Sequence, residues 1–242
     1  MSNTDASSTA QTLVRYRLPD PPERELDEVT SYRHVHNTGN PHFLLRHFGN
    51  PDTTLIAAEE YISAYPGYRP LRRPDFLIAF DVNPELYWEQ NGYVISDQGK
   101  PPDFVLEVAS KGTAQVDLGP KREDYAALGI PEYWRYDFTA EFYGVGLAGD
   151  RLVGDHYEPI EIVEIAPGVL QGESQVLGLW LRWEEGVRQL GWYDPTTGKH
   201  IPTFDSTQAQ LTAEREARLA SDTRVRELEA ELRRLQERDS PR

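Results

Sequence analysis

An apolar run with one carboxylate in its middle is the feature of this sequence that most constrains its fold. Residues 104–109 read FVLEVA, with two prolines shortly before them and Ser110-Lys111-Gly112 after them. A short apolar run between turn residues is typical of a strand that is buried on both faces. Glu107 lies inside this run, and a buried carboxylate without a partner costs several kcal/mol or takes up a proton. We therefore expect the fold to provide a cation, or a fixed Lys or Arg, beside Glu107.

The segments around this strand follow the order helix, three strands, helix, strand. Their patterns predict the end of a helix at 42–48, strands at 53–65, 75–82 and 103–109, a helix at 118–129 and a strand at 131–137. Pro120 suits the first turn of the second helix and Gly129 suits its end. The short connections predict an antiparallel meander for the first three strands, and the helix predicts a crossover to a parallel strand. We therefore expect an α/β layered core.

Both ends of the chain and its second half predict additions to this core. Several β-type segments with turn signals in 141–190 indicate an antiparallel extension. The first 30 residues are rich in Ser, Thr, Pro and acids, so we assign 1–35 to a flexible arm and 36–204 to the domain. We assign 205–242 to a C-terminal helix, because its first 34 residues contain neither Gly nor Pro.

The C-terminal helix carries a short apolar seam. Val225, Leu228, Leu232 and Leu235 follow a 3-4-3 spacing, which spans about two heptads. Such a seam is typical of a contact between two copies of a chain or with another protein. It is equally typical of an amphipathic helix that folds back on its own domain.

The composition narrows the class of protein. The net charge of −15 argues against a sequence-independent nucleic-acid coat protein, which would be basic. The absence of cysteine excludes disulfides and thiolate metal sites. No apolar run approaches the about 20 residues needed to cross a membrane, and the polar start MSNTDASSTAQT has no signal-peptide pattern. We expect a cytoplasmic protein.

Two acids and one lysine form the candidate site. Asp75 opens one predicted strand and Glu107 lies inside the next, so their carboxylates point at one shared spot if these strands pair. Two carboxylates, together with waters and phosphate oxygens, suit a hard divalent ion such as Mg²⁺. Lys121 lies in the first turn of the predicted helix, where the helix dipole disfavours a cation. A lysine beside a metal could orient the attacking water or hold a phosphate.

Several motifs in combination resemble the Uma2 family. They are RRPDF at 72–76, PPDFVLEVAS at 101–110, DLGPKREDYAALGIPEYW at 117–134, and the later YEPIEI and LGLWL. The resemblance covers roughly residues 40–185. It implies the restriction-endonuclease-like αβββαβ core of PD-(D/E)XK nucleases, here with an antiparallel β extension and a C-terminal helix. It also implies hydrolysis of phosphodiester bonds with Mg²⁺ or Mn²⁺ as cofactor, and DNA as the substrate.

The resemblance carries roles to three residues. It implies that Asp75 and Glu107 bind the metal and that Lys121 assists catalysis. In the general nuclease motif a lysine follows the Glu by two positions, where this chain has Ala109. Uma2-like proteins have the lysine on the following helix, where Lys121 matches.

The surroundings of these residues predict the substrate contacts. The Pro/Arg-rich loop with Arg72 and Arg73, together with Lys111, is expected to meet backbone phosphates. A homodimer would allow both strands of a duplex to be cut.

Structural alternatives stay open for each of these residues. Glu107 could pair with Arg72, Arg73 or Arg135 instead of a metal. The stem of Lys121 could pack on Tyr125 with its head in solvent. Asp103 is interpreted as a strand-edge acid, Glu60 as a less favoured third acid, and the six histidines as surface or packing residues. The acidic surface, polar arm and helical tail also fit a non-catalytic scaffold on a nuclease-derived core.

Overall fold

The computed structural model describes residues 16–22, 35 and 37–238. The helices are α1 (Asn40–Phe48), α2 (Pro84–Gln90), α3 (Ile95–Gln98), α4 (Ala114–Leu118), α5 (Pro120–Ala127) and α6 (Phe204–Arg238). The strands are β1 (Thr54–Ala57), β2 (Tyr61–Ser63), β3 (Phe76–Phe80), β4 (Gly92–Val94), β5 (Phe104–Val108), β6 (Glu132–Tyr136), β7 (Leu147–Val153), β8 (His156–Pro159), β9 (Ile162–Ala166), β10 (Val169–Ser174), β11 (Leu179–Glu184), β12 (Gly191–Asp194) and β13 (Lys199–His200).

A six-stranded sheet in the order β1-β3-β5-β6-β7-β8 carries the candidate site. The pairs β1–β3 and β3–β5 are antiparallel, whereas β5 and β6 are parallel. Parallel neighbours cannot be joined by a hairpin, so the chain crosses over through α4 and α5 between β5 and β6. The predicted meander, crossover helix, parallel strand and α/β fold class are confirmed.

The two faces of this sheet have different covers, because side chains alternate along each strand. On one face, Phe76 and Leu106 pack in a core with Leu181 and Trp192 of a second sheet, which has the order β13-β12-β11-β10-β9. On the other face, Leu77, Val105 and Tyr133 pack with Tyr125 of α5 and Tyr87 of α2. The candidate site lies on the helix-covered face.

The predicted antiparallel extension at 141–190 is divided between the two sheets. Strands β7 and β8 continue the six-stranded sheet, whereas β9 to β12 belong to the second sheet with β13. Glycines allow the two sheets to approach. The indole of Trp134 lies against Gly149 and Gly172, where a Cβ would come within 2.9 Å and 2.8 Å of it.

Three segments differ from the sequence-based prediction. Residues 53–65 form two strands rather than one, with Glu59 at a φ of 65° between them, and β2 pairs with β4 in a small parallel sheet. Residues 83–102, for which the sequence predicted no helix or strand, contain α2, β4 and α3. Asn83 caps α2 by accepting the Glu85 N–H. The helix predicted at 118–129 consists of the end of α4 and then α5, which are separated at Gly119.

The ends of the chain also differ in part from the prediction. Residues 16–22, assigned to a flexible arm, contact the domain, because Leu18 is buried and its N–H donates to the carbonyl of Gln90. The rest of the predicted arm, apart from residue 35, lies outside the described residues, as do His34 and His36. The start of α6 is anchored by Phe204, whose ring lies 5.4 Å from that of Phe43.

The apolar seam of α6 is open to solvent. Val225, Leu228 and Leu232 are each about half exposed, at 48–56%. The alternative in which this seam folds back on its own domain is therefore wrong for these three residues. None of the helices in the described ranges has the length and apolar composition needed to cross a membrane.

Candidate active site

Asp75 and Glu107 are cross-strand neighbours on β3 and β5. The register pairs Phe76 with Leu106 and Leu77 with Val105, and one further step sets Asp75 opposite Glu107. Both lie on the helix-covered face, since Phe76 and Leu106 point to the second sheet. Asp75 Oδ2 accepts a 2.7 Å hydrogen bond from the backbone N–H of Val108. The structure thus brings together the two carboxylates that the sequence singled out.

Both carboxylate oxygens of Glu107 have partners on α5. Oε2 lies 2.7 Å from Nζ of Lys121, and Oε1 accepts a 2.6 Å hydrogen bond from the hydroxyl of Tyr125. Lys121 and Tyr125 are four residues apart, so one face of the helix carries both. Glu107 therefore pairs with Lys121 rather than with the arginines considered from the sequence.

Lys121 bridges Glu107 to a second buried acid. Its Nζ lies 2.8 Å from Oδ1 of Asp117, and Asp117 Oδ2 accepts a 2.8 Å hydrogen bond from the hydroxyl of Tyr143. The side chain of Lys121 is only 10% exposed, so the alternative with its head in solvent is wrong. Asp117 and Tyr143 were not among the residues singled out from the sequence. The four-residue spacing between Asp117 and Lys121 was the available signal.

Burial and crowding of charge shift the ionisation of this cluster. Burial raises the pKa of Glu107 well above its usual value; the ammonium of Lys121 opposes this shift, and Asp75 and Asp117 add to it. Burial alone would lower the pKa of Lys121, but the carboxylates of Glu107, Asp117 and Asp75 outweigh it and raise the pKa above its ordinary value. Lys121 is therefore a charged ammonium at neutral pH, and Glu107 holds a proton more readily than an ordinary glutamate does.

A second charged group borders the cluster. The parallel register sets Arg135 beside Glu107, but its Nη1 lies 2.7 Å from Oδ2 of Asp150. Arg122 on α5 donates to Oδ1 of the same carboxylate at 2.9 Å. The guanidinium of Arg135 also lies over the ring of Tyr133, 4.9 Å from its centroid. Asp150 pairs with both arginines. The cation that pairs with Glu107 is therefore Lys121.

The residues expected to meet phosphates lie in different environments. Arg72 forms a part-buried ion pair with Asp124 of α5, and Arg73 forms one with Glu59. Lys111 is exposed in the turn that follows β5. The structure therefore leaves Lys111 open to solvent and gives both arginines carboxylate partners.

Asp103 and Glu60, which the sequence offered as further acids, lie outside this cluster of contacts. Asp103 binds Nζ of Lys100 at 2.8 Å and the N–H of Phe80 at 2.8 Å, as expected of a strand-edge acid. Burial is the main cause that raises the pKa of Glu60, and Arg73 opposes the shift. Neither residue contacts Glu107, Asp117 or Lys121 by any hydrogen bond or ion pair found within 37–238.

The donor chemistry of the cluster fits a hard divalent cation. Asp75 acts electrostatically on the same ammonium that Glu107 and Asp117 contact, so three buried carboxyl groups surround Lys121. Over the described ranges, no group of three or more His, Cys, Asp or Glu side chains has the geometry to hold a metal ion. A metal here would therefore be held by two carboxylates, with waters and substrate oxygens completing its coordination.

Comparison with known proteins adds to this geometry. The model of the Uma2 family, described as "Putative restriction endonuclease", matches residues 43–184. No curated protein matches the chain. The matched range covers more than half of the sequence and includes the strands and helices that carry the cluster. The chain belongs to the Uma2 family, whose description is that of a nuclease.

Proposed function

We propose that this protein is a divalent-metal-dependent endonuclease that hydrolyses DNA phosphodiester bonds. The observation that supports the proposal most strongly is the buried pair Asp75 and Glu107, set opposite each other beside one charged lysine. In this proposal the two carboxylates hold Mg²⁺ or Mn²⁺. When bound, the ion would lower the pKa of a water molecule that it coordinates and would neutralise negative charge on the phosphate.

The remaining residues of the cluster position these groups. Lys121 is already protonated at neutral pH, because the neighbouring carboxylates raise its pKa, so in this proposal it acts as a hydrogen-bond donor that orients water or stabilises charge on a phosphate oxygen. The hydroxyl of Tyr125 fixes one oxygen of Glu107, and Asp117 holds the ammonium of Lys121 in place.

In this proposal, basic residues around the cluster contact the phosphates of the DNA backbone. Lys111 is exposed and can meet a backbone phosphate without losing a partner. Arg72 and Arg73 can do so only if a phosphate replaces or shares their carboxylate partners, Asp124 and Glu59. We include a homodimer in the proposal, because two copies would cut the two strands of a duplex.

A second candidate function is a non-catalytic interaction protein. It is favoured by the burial of the cluster: Glu107 is 1% exposed, Asp75 3% and Lys121 8%. Both oxygens of Glu107 already have protein partners. In this alternative the cluster has lost its catalytic role and Lys121 neutralises its carboxylates in place of a metal. The exposed helix α6 then binds the partner protein.

Cleavage of supercoiled plasmid DNA in Mg²⁺ or Mn²⁺ separates the two candidates. The parent protein and Glu123→Gln, a matched change at an exposed carboxylate of α5, are expected to cut. Asp75→Asn and Glu107→Gln are expected to lose cleavage, as is the parent in EDTA. Absence of cleavage by the parent, together with a melting temperature that does not respond to Mn²⁺, would favour the interaction protein.

A further inference from the structure

Helix α6 presents an apolar seam that nothing in the described part of the chain covers. Val225, Leu228 and Leu232 are half exposed on one side of a helix of 35 residues. A helix of this length, roughly 50 Å, that has no tertiary packing along most of its surface gains little stability from propensity alone. We therefore expect another protein surface to cover the seam.

The seam has the pattern of a two-stranded coiled coil. Val225 and Leu232 take heptad position a, Leu228 takes position d, and Leu235 continues the sequence pattern at d. A β-branched residue at a with leucine at d favours two parallel strands. Upstream, Arg218 and Ser221 occupy the equivalent positions, so the apolar contact is confined to residues 225–235.

The flanking charges select the orientation. In a parallel pair, Arg224 at position g meets Glu229 at position e of the second copy, once on each side of the seam. Glu231 meets the neutral Gln236. In an antiparallel pair that overlaps the same apolar positions, Glu229 would face Glu229 and Glu231 would face Glu231. The parallel arrangement thus has two attractive pairs where the antiparallel one has like charges.

We propose that residues 225–235 of α6 form a parallel coiled coil with the same segment of a second copy of this chain. A parallel pair joins the two domains at the same end of the coiled coil, because α6 begins at Phe204 beside α1 in each copy. This interface does not depend on the nuclease activity. If that activity holds, the arrangement links two active sites in one molecule.

Sedimentation equilibrium of the full chain tests the interface. The parent is expected to be a dimer at roughly 100 µM, where even a weak pair is populated. Leu228→Glu is expected to weaken the dimer at least about tenfold, because it places charge in the seam. Leu219→Glu is the matched control, since Leu219 is 59% exposed but lies off the seam at position b. A monomeric parent, or equal effects of the two substitutions, would overturn the proposal.

A charge exchange tests the orientation. Arg224→Glu should weaken a parallel dimer, and adding Glu229→Arg should restore it. In an antiparallel pair Arg224→Glu would instead strengthen the dimer, because Arg224 would lie near Arg238 of the other copy. Arg224 also pairs with Glu227 within its own helix at 3.1 Å. Glu227→Gln, which removes that pair without touching the seam, is therefore the control and should leave the dimer unchanged.

Discussion

Replacing Lys121 by methionine removes the ammonium that lies 2.7 Å from Glu107 and 2.8 Å from Asp117. Methionine has a similar length and no charge, and it adapts to irregular space, so the substitution leaves little cavity. The effect therefore reports mainly on charge. Two buried carboxyl groups lose their cation, and Glu107 keeps only the hydroxyl of Tyr125 as a side-chain partner among the contacts described.

The burial of these groups sets the expected magnitude. The side chains of Glu107 and Asp117 are 1% and 0% exposed. Removing one partner of such a pair costs about 3–5 kcal/mol. The comparison is Lys100→Met, which breaks the pair with Asp103, where the side chains are 33% and 16% exposed. Pairs near the surface contribute about 1 kcal/mol or less.

Urea unfolding at pH 7, followed by tryptophan fluorescence, measures both changes. Urea is preferable to guanidinium chloride, because a salt would screen the charges being tested. We expect Lys121→Met to lose about 3 kcal/mol or more of unfolding free energy. The double variant Lys121→Met/Glu107→Gln should recover part of this loss, because it replaces one of the two buried carboxyl groups that lost their cation. A loss for Lys121→Met no greater than that for Lys100→Met would refute the assignment of a buried charge cluster.

Two further predictions concern pH and packing. The folded parent keeps the proton of Glu107 above the usual pKa of 4.5, while the unfolded chain has lost it. In EDTA, the unfolding free energy of the parent should therefore fall as pH rises above that value, by up to about 1.4 kcal/mol per pH unit from this group, until Glu107 also ionises in the folded protein. Glu107→Gln should lack this fall and become the more stable protein as pH rises; parallel pH profiles in urea would contradict this. Gly146→Ala should destabilise by about 1–3 kcal/mol, since its Cβ would come 2.2 Å from Trp183, whereas Gly112→Ala meets nothing within 4 Å and should be neutral in thermal unfolding.

The centre of the fold was predictable because its segments are strongly patterned. Each segment has a clear pattern: β5 is an apolar run, β6 alternates, and a proline and a glycine bracket α5. Their order along the chain predicts that α5 lies in the crossover between β5 and β6. The pairing of Asp75 with Glu107 follows from two neighbouring strands and the period of two along each. These features depend on local sequence patterns, so they can be predicted without knowledge of the tertiary packing.

The partners of Glu107 were not predictable in the same way. Tyr125 was considered only as a surface on which Lys121 could pack, yet it donates to Glu107. Tyr143, which binds Asp117, follows β6 and is 26 residues away in sequence. Such contacts depend on how α4, α5 and the segment after β6 pack over β5. The division of the later strands between two sheets was not predictable either, because an antiparallel strand has the same sequence pattern in whichever sheet it lies.

Binding of Mn²⁺ to the purified protein, measured by isothermal titration calorimetry, tests the central claim most directly. We predict stoichiometric binding that Asp75→Asn abolishes and Glu123→Gln preserves. The affinity should rise with pH, because the ion competes with the proton that burial favours on Glu107. No binding by the parent, or binding that survives Asp75→Asn unchanged, would contradict a metal site between Asp75 and Glu107.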